Sequence, residues 1–299
     1  MNPINAAVVR VIPLFPKKLV RVFANRYIAG DKLEDGVNSV KKLNSKNIMT
    51  TMDVLGESIT TKEEAIESKN EAISVLEAID KNKLNSNLSI KLTMMGLNLD
   101  FDFCYSLVKE IVTFAKEKNN FVRIDMEDSS VTEKTIQVFE KVRKDFENVG
   151  IAVQAYLRRT EKDIIRLSEN GSNFRICKGI YIEPENIAFK NRNEIRENFL
   201  KVIRLALERK SYCGIATHDN FVTEGAKKII HELGLKKDEY EFQMLLGVRE
   251  KLRDELVNEG YRMRIYVPFG ERWYHYSMRR FKENPNVMWA VMKSIIFRS

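Results

Sequence analysis

From residue 47 onward, a short apolar run and a longer amphipathic stretch alternate eight times. The runs are NIMTTMDVLG (47–56), LSIKLT (88–93), FVRIDM (121–126), IAVQAY (151–156), FRICKG (174–179), CGIAT (213–217), YEFQML (240–245) and RMRIYV (262–267). They have the length and composition of strands. The stretches at 60–81, 101–118, 131–148, 161–169, 192–210, 221–233 and 248–259 have helical spacing, as does the segment after 270. Thr60 or Thr61 is placed to cap the first of them, ahead of an acidic first turn. Strands that alternate with helices build a parallel sheet. Eight such units within 299 residues predict an α/β fold, a closed (βα)8 barrel of the TIM type. An open doubly wound sheet is the alternative, but no GxGxxG follows a strand, so a Rossmann site is not indicated.

Around this barrel, residues 14–44 predict one or two short helices broken at Gly30 and Gly36. The stretch 287–296 carries one apolar stripe at Val287, Met288, Val291, Met292, Ile295 and Ile296, which predicts a C-terminal helix packed back on the barrel. No linker divides the chain. The expectation is one domain over 1–299, with a helical segment at 1–45, the barrel at 46–285 and the last helix at 286–299.

The formal charge of +8 suits an anionic ligand or surface. The basic residues are interleaved with acidic ones rather than gathered in a stripe, which argues against nucleic acid. Cys104, Cys177 and Cys213 are odd in number and lack CxxC spacing, as expected of a reducing compartment. No two histidines have metal-ligand spacing, so no metal is expected. No apolar stretch is long enough to span a bilayer, and the apolar, basic start is interrupted by Arg10, Pro13 and Pro16, unlike a signal peptide. A cytoplasmic protein is expected, with peripheral contact at the inner membrane face left open for the terminal segments. Subunit number leaves no mark on the sequence.

In a barrel of this kind, chemistry is found where the strands end. The polar residues there are Asp53, Lys91, Asp125, Gln154, Arg175, Lys178, Thr217, His218, Gln243 and Tyr266. The stretch 264–285 reads as a strand, a tight turn at Pro268, Phe269 and Gly270, and a helix. On that helix Tyr276, Arg279, Arg280 and Glu283 share one face. Two adjacent guanidinium groups suit a carboxylate, which they can grip as a fork. Five cations, Lys91, Arg175, Lys178, Arg279 and Arg280, exceed what one small carboxylate uses, so a larger anion such as a phosphorylated cofactor is expected beside it. Asp125, Glu57 and Glu283 are the expected carboxylate partners. Arg175 and Cys177 face one side of their strand and Lys178 the other. Competing structural readings are a solvated basic helix face, a buried Lys91–Asp125 ion pair, a satisfied core histidine at His218 and an ordinary core aromatic at Tyr266.

SIKLTMMG, RIDMED, QAYLRRT, FRICKGIY, ATHDN, EFQMLLG and YVPFG…WYHYSMRR together resemble the proline dehydrogenase family, in order and spacing, from about residue 49 to 283. The resemblance implies a distorted barrel that binds FAD without a covalent bond. It implies oxidation of L-proline to Δ1-pyrroline-5-carboxylate by hydride transfer, with electrons passed to a quinone. It assigns the substrate carboxylate to Arg279, Arg280 and Lys91, and a wall of the substrate pocket to Tyr266, with Tyr181 nearby. Asp125 would orient these groups, Glu57 would pair with Arg279 as a gate, and Glu283 would join the same charged cluster. Arg175 would approach flavin N5 and Gln154 would contact the ring system. Lys178, Gly179, Thr217 and His218 would serve the pyrophosphate and adenosine, with Gln243 a further cofactor contact. No residue stands out as the base for the amine proton, which is left to solvent or to loss on binding. Two other functions compete: a barrel lyase or aldolase with Lys91 as Schiff-base nucleophile, and a non-catalytic protein that binds an anionic partner.

Overall fold

Eight parallel strands hydrogen-bond in sequence order and close into a barrel, the first strand pairing with both the second and the eighth. The structure is a computed structural model that describes residues 17–56, 59–169, 171–274 and 276. Two helices, α1 (Lys17–Tyr27) and α2 (Leu33–Asn44), precede β1 (Met49–Val54). The alternation then runs α3 (Lys62–Lys81), β2 (Ser86–Ile90), α4 (Phe101–Glu117), β3 (Val122–Ile124), α5 (Ser129–Arg143), β4 (Val149–Gln154) and α6 (Thr160–Ser168). It continues through β5 (Asn173–Cys177), α7 (Arg192–Glu208), β6 (Tyr212–Ala216), α8 (Asn220–Glu232), β7 (Tyr240–Leu245), α9 (Glu250–Asn258) and β8 (Met263–Phe269).

Helix starts follow local chemistry. Thr61 caps α3 by accepting the Glu64 N–H, and the Glu64 carboxylate reaches back to close a capping box. Asp100, Asp128, Asn191 and Asp219 cap α4, α5, α7 and α8 by accepting first-turn N–H groups. The apolar core lies between the strands' outer faces and the helices: Met52, Leu88, Ile124, Ile151, Phe174, Ile215 and Phe242 are fully covered there.

Two expectations are corrected. Gly36 is not a break but lies buried inside α2. A Cβ at that position would stand 2.8 Å from Met52 Cε and 3.0 Å from the Phe269 ring, so its absence lets α2 press onto β1 and β8. Pro268 and Phe269 are not a turn but the end of β8, in register with Asp53 and Val54. The proline carbonyl accepts the Ala29 N–H at 2.9 Å and the Phe269 carbonyl accepts the Leu55 N–H at 2.7 Å, so the missing proline N–H costs the pairing little.

The barrel interior departs from the usual branched aliphatic filling. Alternate residues on a strand share a face, and here many of the inward ones are polar. Thr51 and Asp53 face in from β1, Arg123 from β3, Arg175 from β5, Glu241 and Gln243 from β7, and Arg264 and Tyr266 from β8, as their contacts through the barrel show.

Candidate functional site

Where the strands stop decides what stands at the barrel mouth. β2 ends at Ile90 and β3 at Ile124, and the Asp125 N–H bonds the Ile90 carbonyl at 2.9 Å. Lys91 and Asp125 are therefore the first residues past two neighbouring strand ends. Lys91 Nζ lies 2.5 Å from Asp53 Oδ1 and 3.7 Å from Asp125 Oδ2. From β8, beside β1, the Tyr266 hydroxyl donates to Asp125 Oδ2 at 2.6 Å. The Arg175 guanidinium carbon lies 5.3 Å from the centre of the Tyr266 ring, and Arg175 Nε donates to Gln243 Oε1 at 3.0 Å.

The electrostatics follow from burial and pairing. Burial works against the Lys91 ammonium, but the Asp53 and Asp125 carboxylates outweigh it and hold Lys91 well above an ordinary lysine. Burial, followed by the same two carboxylates, pushes the Tyr266 phenol well above its ordinary value. Both groups are thus fixed as donors at neutral pH. The Lys91–Asp125 pairing anticipated from sequence is present, but Asp53, on β1, is the nearer partner and had been given no role.

Gln154 lies on the same inner surface, its Nε2 donating to the Glu127 carbonyl at 2.7 Å. The Glu127 carboxylate is itself held by Thr93, through N–H at 3.0 Å and hydroxyl at 2.6 Å. Tyr181 is half-buried in the loop between β5 and α7. That loop is pinned at Glu183, whose carboxylate accepts the Ser129 N–H at 2.7 Å and hydroxyl at 2.5 Å. Glu127 and Glu183 are absent from the sequence candidates, whereas Asp53 is among the strand-end residues there without a role.

Beside the mouth runs a cleft of about 940 Å³ along the ends of β5, β6 and β7. Lys178, Arg192, Arg196 and Arg249 line it, with Arg26 from α1 closing one side. Its lining carboxylate, Asp219, is occupied by Arg196 through two bonds of 2.9 Å and by Arg192 at 3.3 Å. His218 Nε2 accepts the Leu245 N–H at 3.0 Å, so the satisfied-histidine reading holds for that nitrogen while the residue still lines the cleft. Thr217 Oγ1 accepts the Asp219 N–H at 3.1 Å. Gly179 has φ +103, and a Cβ there would lie 2.1 Å from the Tyr156 ring. The chain can make this turn out of β5 only without a side chain.

The structure thus brings Lys91, Asp125, Tyr266, Arg175, Gln243 and Gln154 to one inner surface, and Lys178, Gly179, Thr217 and His218 to the adjoining rim. Glu57, Arg279, Arg280 and Glu283 lie outside the described residues. Tyr276, which starts their expected helix face, is buried with Ala24, Ile28 and Leu55. That helix therefore begins directly over the end of β1. No group of three or more metal-ligating side chains occurs among the described residues.

Comparison with known proteins bears on the family and the fold. Residues 37–291 match the family described as proline dehydrogenase. "Proline dehydrogenase 2" of Bacillus subtilis (strain 168) is 40% identical over 266 residues, which span 89% of this chain and 88% of that protein. "Proline dehydrogenase" of Deinococcus radiodurans is 33% identical over 267 residues, 88% of this chain and 86% of that protein. Among solved structures, proline utilization A from Bdellovibrio bacteriovorus, inactivated by N-propargylglycine, superposes with a TM-score of 0.84 at 26% identity. The match covers 90% of this chain and 33% of that longer one.

Proposed function

The chain belongs to the proline dehydrogenase family and oxidises proline, the first step of proline catabolism, and we propose that it does so on a bound FAD, at the barrel mouth built by Lys91, Asp125, Tyr266 and Arg175. The observation that carries this reading is the placement of two sets of side chains around the strand ends. Lys91 and Tyr266 stand as fixed donors on Asp53 and Asp125, and a cationic cleft with one, already neutralised, carboxylate runs along the ends of β5, β6 and β7.

The residues present fit the dinucleotide. Lys178, His218, Thr217 and the turn at Gly179 would take the pyrophosphate and adenosine, with Lys178 supplying the positive charge at the cleft. Arg175, Gln154 and Gln243 would take the ring end, with Arg175 toward N5. When bound, the flavin accepts the hydride and so supplies the redox chemistry that no side chain here offers.

The chain's own groups bind and aim the substrate. Lys91, joined by Arg279 and Arg280, would clamp the proline carboxylate, leaving the ring carbon beside nitrogen as the end free to react. Hydride transfer needs reacting atoms about 3–3.5 Å apart and aligned, and a clamped carboxylate fixes that distance from one side. The Tyr266 ring, held by its hydroxyl on Asp125 and by Arg175 at its face, would wall the pocket together with Tyr181. Glu57 would pair with Arg279 as a gate and Glu283 would join that cluster. The product is Δ1-pyrroline-5-carboxylate, and a quinone is the proposed electron acceptor. No helix among the described residues is long and apolar enough to cross a membrane. A cytoplasmic enzyme whose terminal segments touch the inner membrane face would meet such an acceptor.

The lyase or aldolase reading requires Lys91 as a free amine, and two carboxylates hold it as an ammonium instead. The deciding experiment is visible spectroscopy of the purified protein. A flavin spectrum bleached anaerobically by L-proline, with no nicotinamide added, is the expected result. A colourless protein trapped by borohydride with a carbonyl substrate would overturn it in favour of the lyase. A colourless protein that binds only polyanions, and releases them with salt, would overturn it in favour of a binding role.

A further inference from the structure

Beneath the residues assigned to flavin lies a second buried layer that the proposed chemistry leaves unused. Its centre is Glu241, two residues before Gln243 on β7 and only 1% exposed. Its Oε1 accepts from Arg264 Nε at 2.6 Å and from Gln243 Nε2 at 2.7 Å. Its Oε2 accepts from the Tyr212 hydroxyl at 2.7 Å and from Arg264 Nη2 at 3.2 Å.

We infer that Glu241 is a positioning residue for the flavin end of the site: it fixes the Gln243 amide, and through it the Arg175 guanidinium. The two ends of a glutamine amide are nearly equal in size, so the hydrogen-bond partners decide which way it points. An ionised carboxylate only accepts, so Gln243 must turn its NH2 toward Glu241. Its carbonyl oxygen is thereby directed at Arg175 Nε, 3.0 Å away. Arg175 is held at one edge by this bond, with the Tyr266 ring at 5.3 Å.

A second observation points to the same amide. Gly214, on the neighbouring strand β6 and in register with Glu241, has no side chain where one would collide. A Cβ there would lie 2.4 Å from Gln243 Nε2. Glu241 decides which way the amide points and Gly214 leaves it room, so the amide's orientation and its place are set by two separate features.

The inference rests on the flavin reading above, and the test separates the two. The holoenzymes to compare are wild type, Glu241→Gln and Gly214→Ala, and the same two changes in a Gln243→Met background. The readouts are the visible spectrum and reduction potential of the bound flavin, with kcat and KM for proline. Glutamine at 241 can also donate, which releases the amide to flip. Alanine at 214 pushes the same amide from the other side with no change of charge. Both should lower kcat by about fivefold or more, as expected when one buried hydrogen bond is lost, with KM for proline changed by less than about twofold. Both should shift the flavin spectrum and potential in the same direction, and neither should add anything in the Gln243→Met background. An effect of Glu241→Gln that persists undiminished without Gln243, or an unchanged flavin in both single variants, would overturn the inference. If Glu241→Gln does not fold, Gly214→Ala decides the same question. Wild-type protein without flavin would instead refute the functional reading, before any variant is made.

Discussion

Lys91 Nζ is shared unequally between two carboxylates, 2.5 Å from Asp53 Oδ1 and 3.7 Å from Asp125 Oδ2. The division matters because Asp125 has a second duty, accepting the Tyr266 hydroxyl. Asp53 therefore carries most of the work of keeping Lys91 charged and in place, while Asp125 links the lysine to the tyrosine wall. Asp53→Asn should loosen Lys91 and lower kcat/KM for proline by about ten- to a hundredfold, the scale of a lost charge-assisted contact. Flavin absorbance should be retained. Stopped-flow flavin reduction by proline checks this, and a rate equal to wild type would place the carboxylate clamp elsewhere.

The same pair gives a pH signature. The folded-state pKa of Lys91 is raised above its unfolded value of 10.5. A raised lysine contributes stability that is complete below the unfolded value and fades as pH rises through the folded one. Wild type should therefore exceed Asp53→Asn in stability at pH 8, by up to about 3–5 kcal/mol for a broken buried pair. The gap should narrow only above about pH 10.5. Urea titrations at pH 8, 10 and 11 measure it, and a gap that widens with alkali would show that Lys91 is not its source.

Tyr266→Phe separates the two contacts of that ring. The hydroxyl bond to Asp125 is lost, while the face toward Arg175 remains. A fall of about tenfold in kcat/KM for proline is expected from one buried hydrogen bond to a charged group. Flavin affinity should be unchanged. Because burial and the nearby carboxylates keep the phenol from ionising, the alkaline limb of the pH–rate profile below pH 10 should have the same shape in both proteins. A limb that disappears in the variant would make the tyrosine the titrating group.

Gly179→Ala tests the turn into the cationic cleft. The position combines φ +103 with a Cβ placed 2.1 Å from the Tyr156 ring. Gly171→Ala is the control, since φ there is +61 but nothing lies within 4 Å of the added atom. The control should cost about 1 kcal/mol, the backbone strain alone. Gly179→Ala should cost more than about 2 kcal/mol, because an overpacking clash adds to it, and should weaken flavin retention on dilution. Thermal melts and flavin-release fluorescence read both. Equal losses in the two variants would mean that the Tyr156 contact yields freely.

Much of this architecture is legible in the sequence because strand ends announce themselves. Lys91, Asp125, Arg175, Gln243 and Tyr266 are polar residues within or at the end of an apolar run, and the barrel rule gathers such positions without knowing the reaction. Two residues before three of them stand Arg123, Glu241 and Arg264, equally inward-facing by the pleat. The apolar pattern does not mark them, because a barrel floor is expected to be apolar and a charge inside a strand reads as solvent-facing; only the two-residue period of the pleat does. Asp53 was visible at its strand end, but its partner depends on the β1–β2 register, in which Asp53 lies opposite Ser89, and no local pattern encodes that. Gly36 read as a helix break because its cost is local, whereas its benefit, room for Met52 and Phe269, is tertiary.

The last prediction concerns how the cations divide between ligands. Arg175 is tied from below through Gln243 and covered by Tyr266, so it belongs to the fixed wall of the barrel. Arg279 and Arg280 belong to the segment that follows β8, whose last described residue, Tyr276, packs with Leu55 just past the end of β1. A wall cation suits a permanently bound cofactor, and the paired arginines of the sequence suit a substrate carboxylate that must come and go. Arg279→Met and Arg280→Met should each raise KM for proline strongly, by the equivalent of about 2–4 kcal/mol for a lost charge-assisted contact, with flavin still bound. Arg175→Ala should change the flavin spectrum or potential, with a smaller effect on KM. Measuring flavin content and proline KM on the three proteins in parallel checks the division. Normal proline binding with flavin lost in either Arg279→Met or Arg280→Met would reverse it.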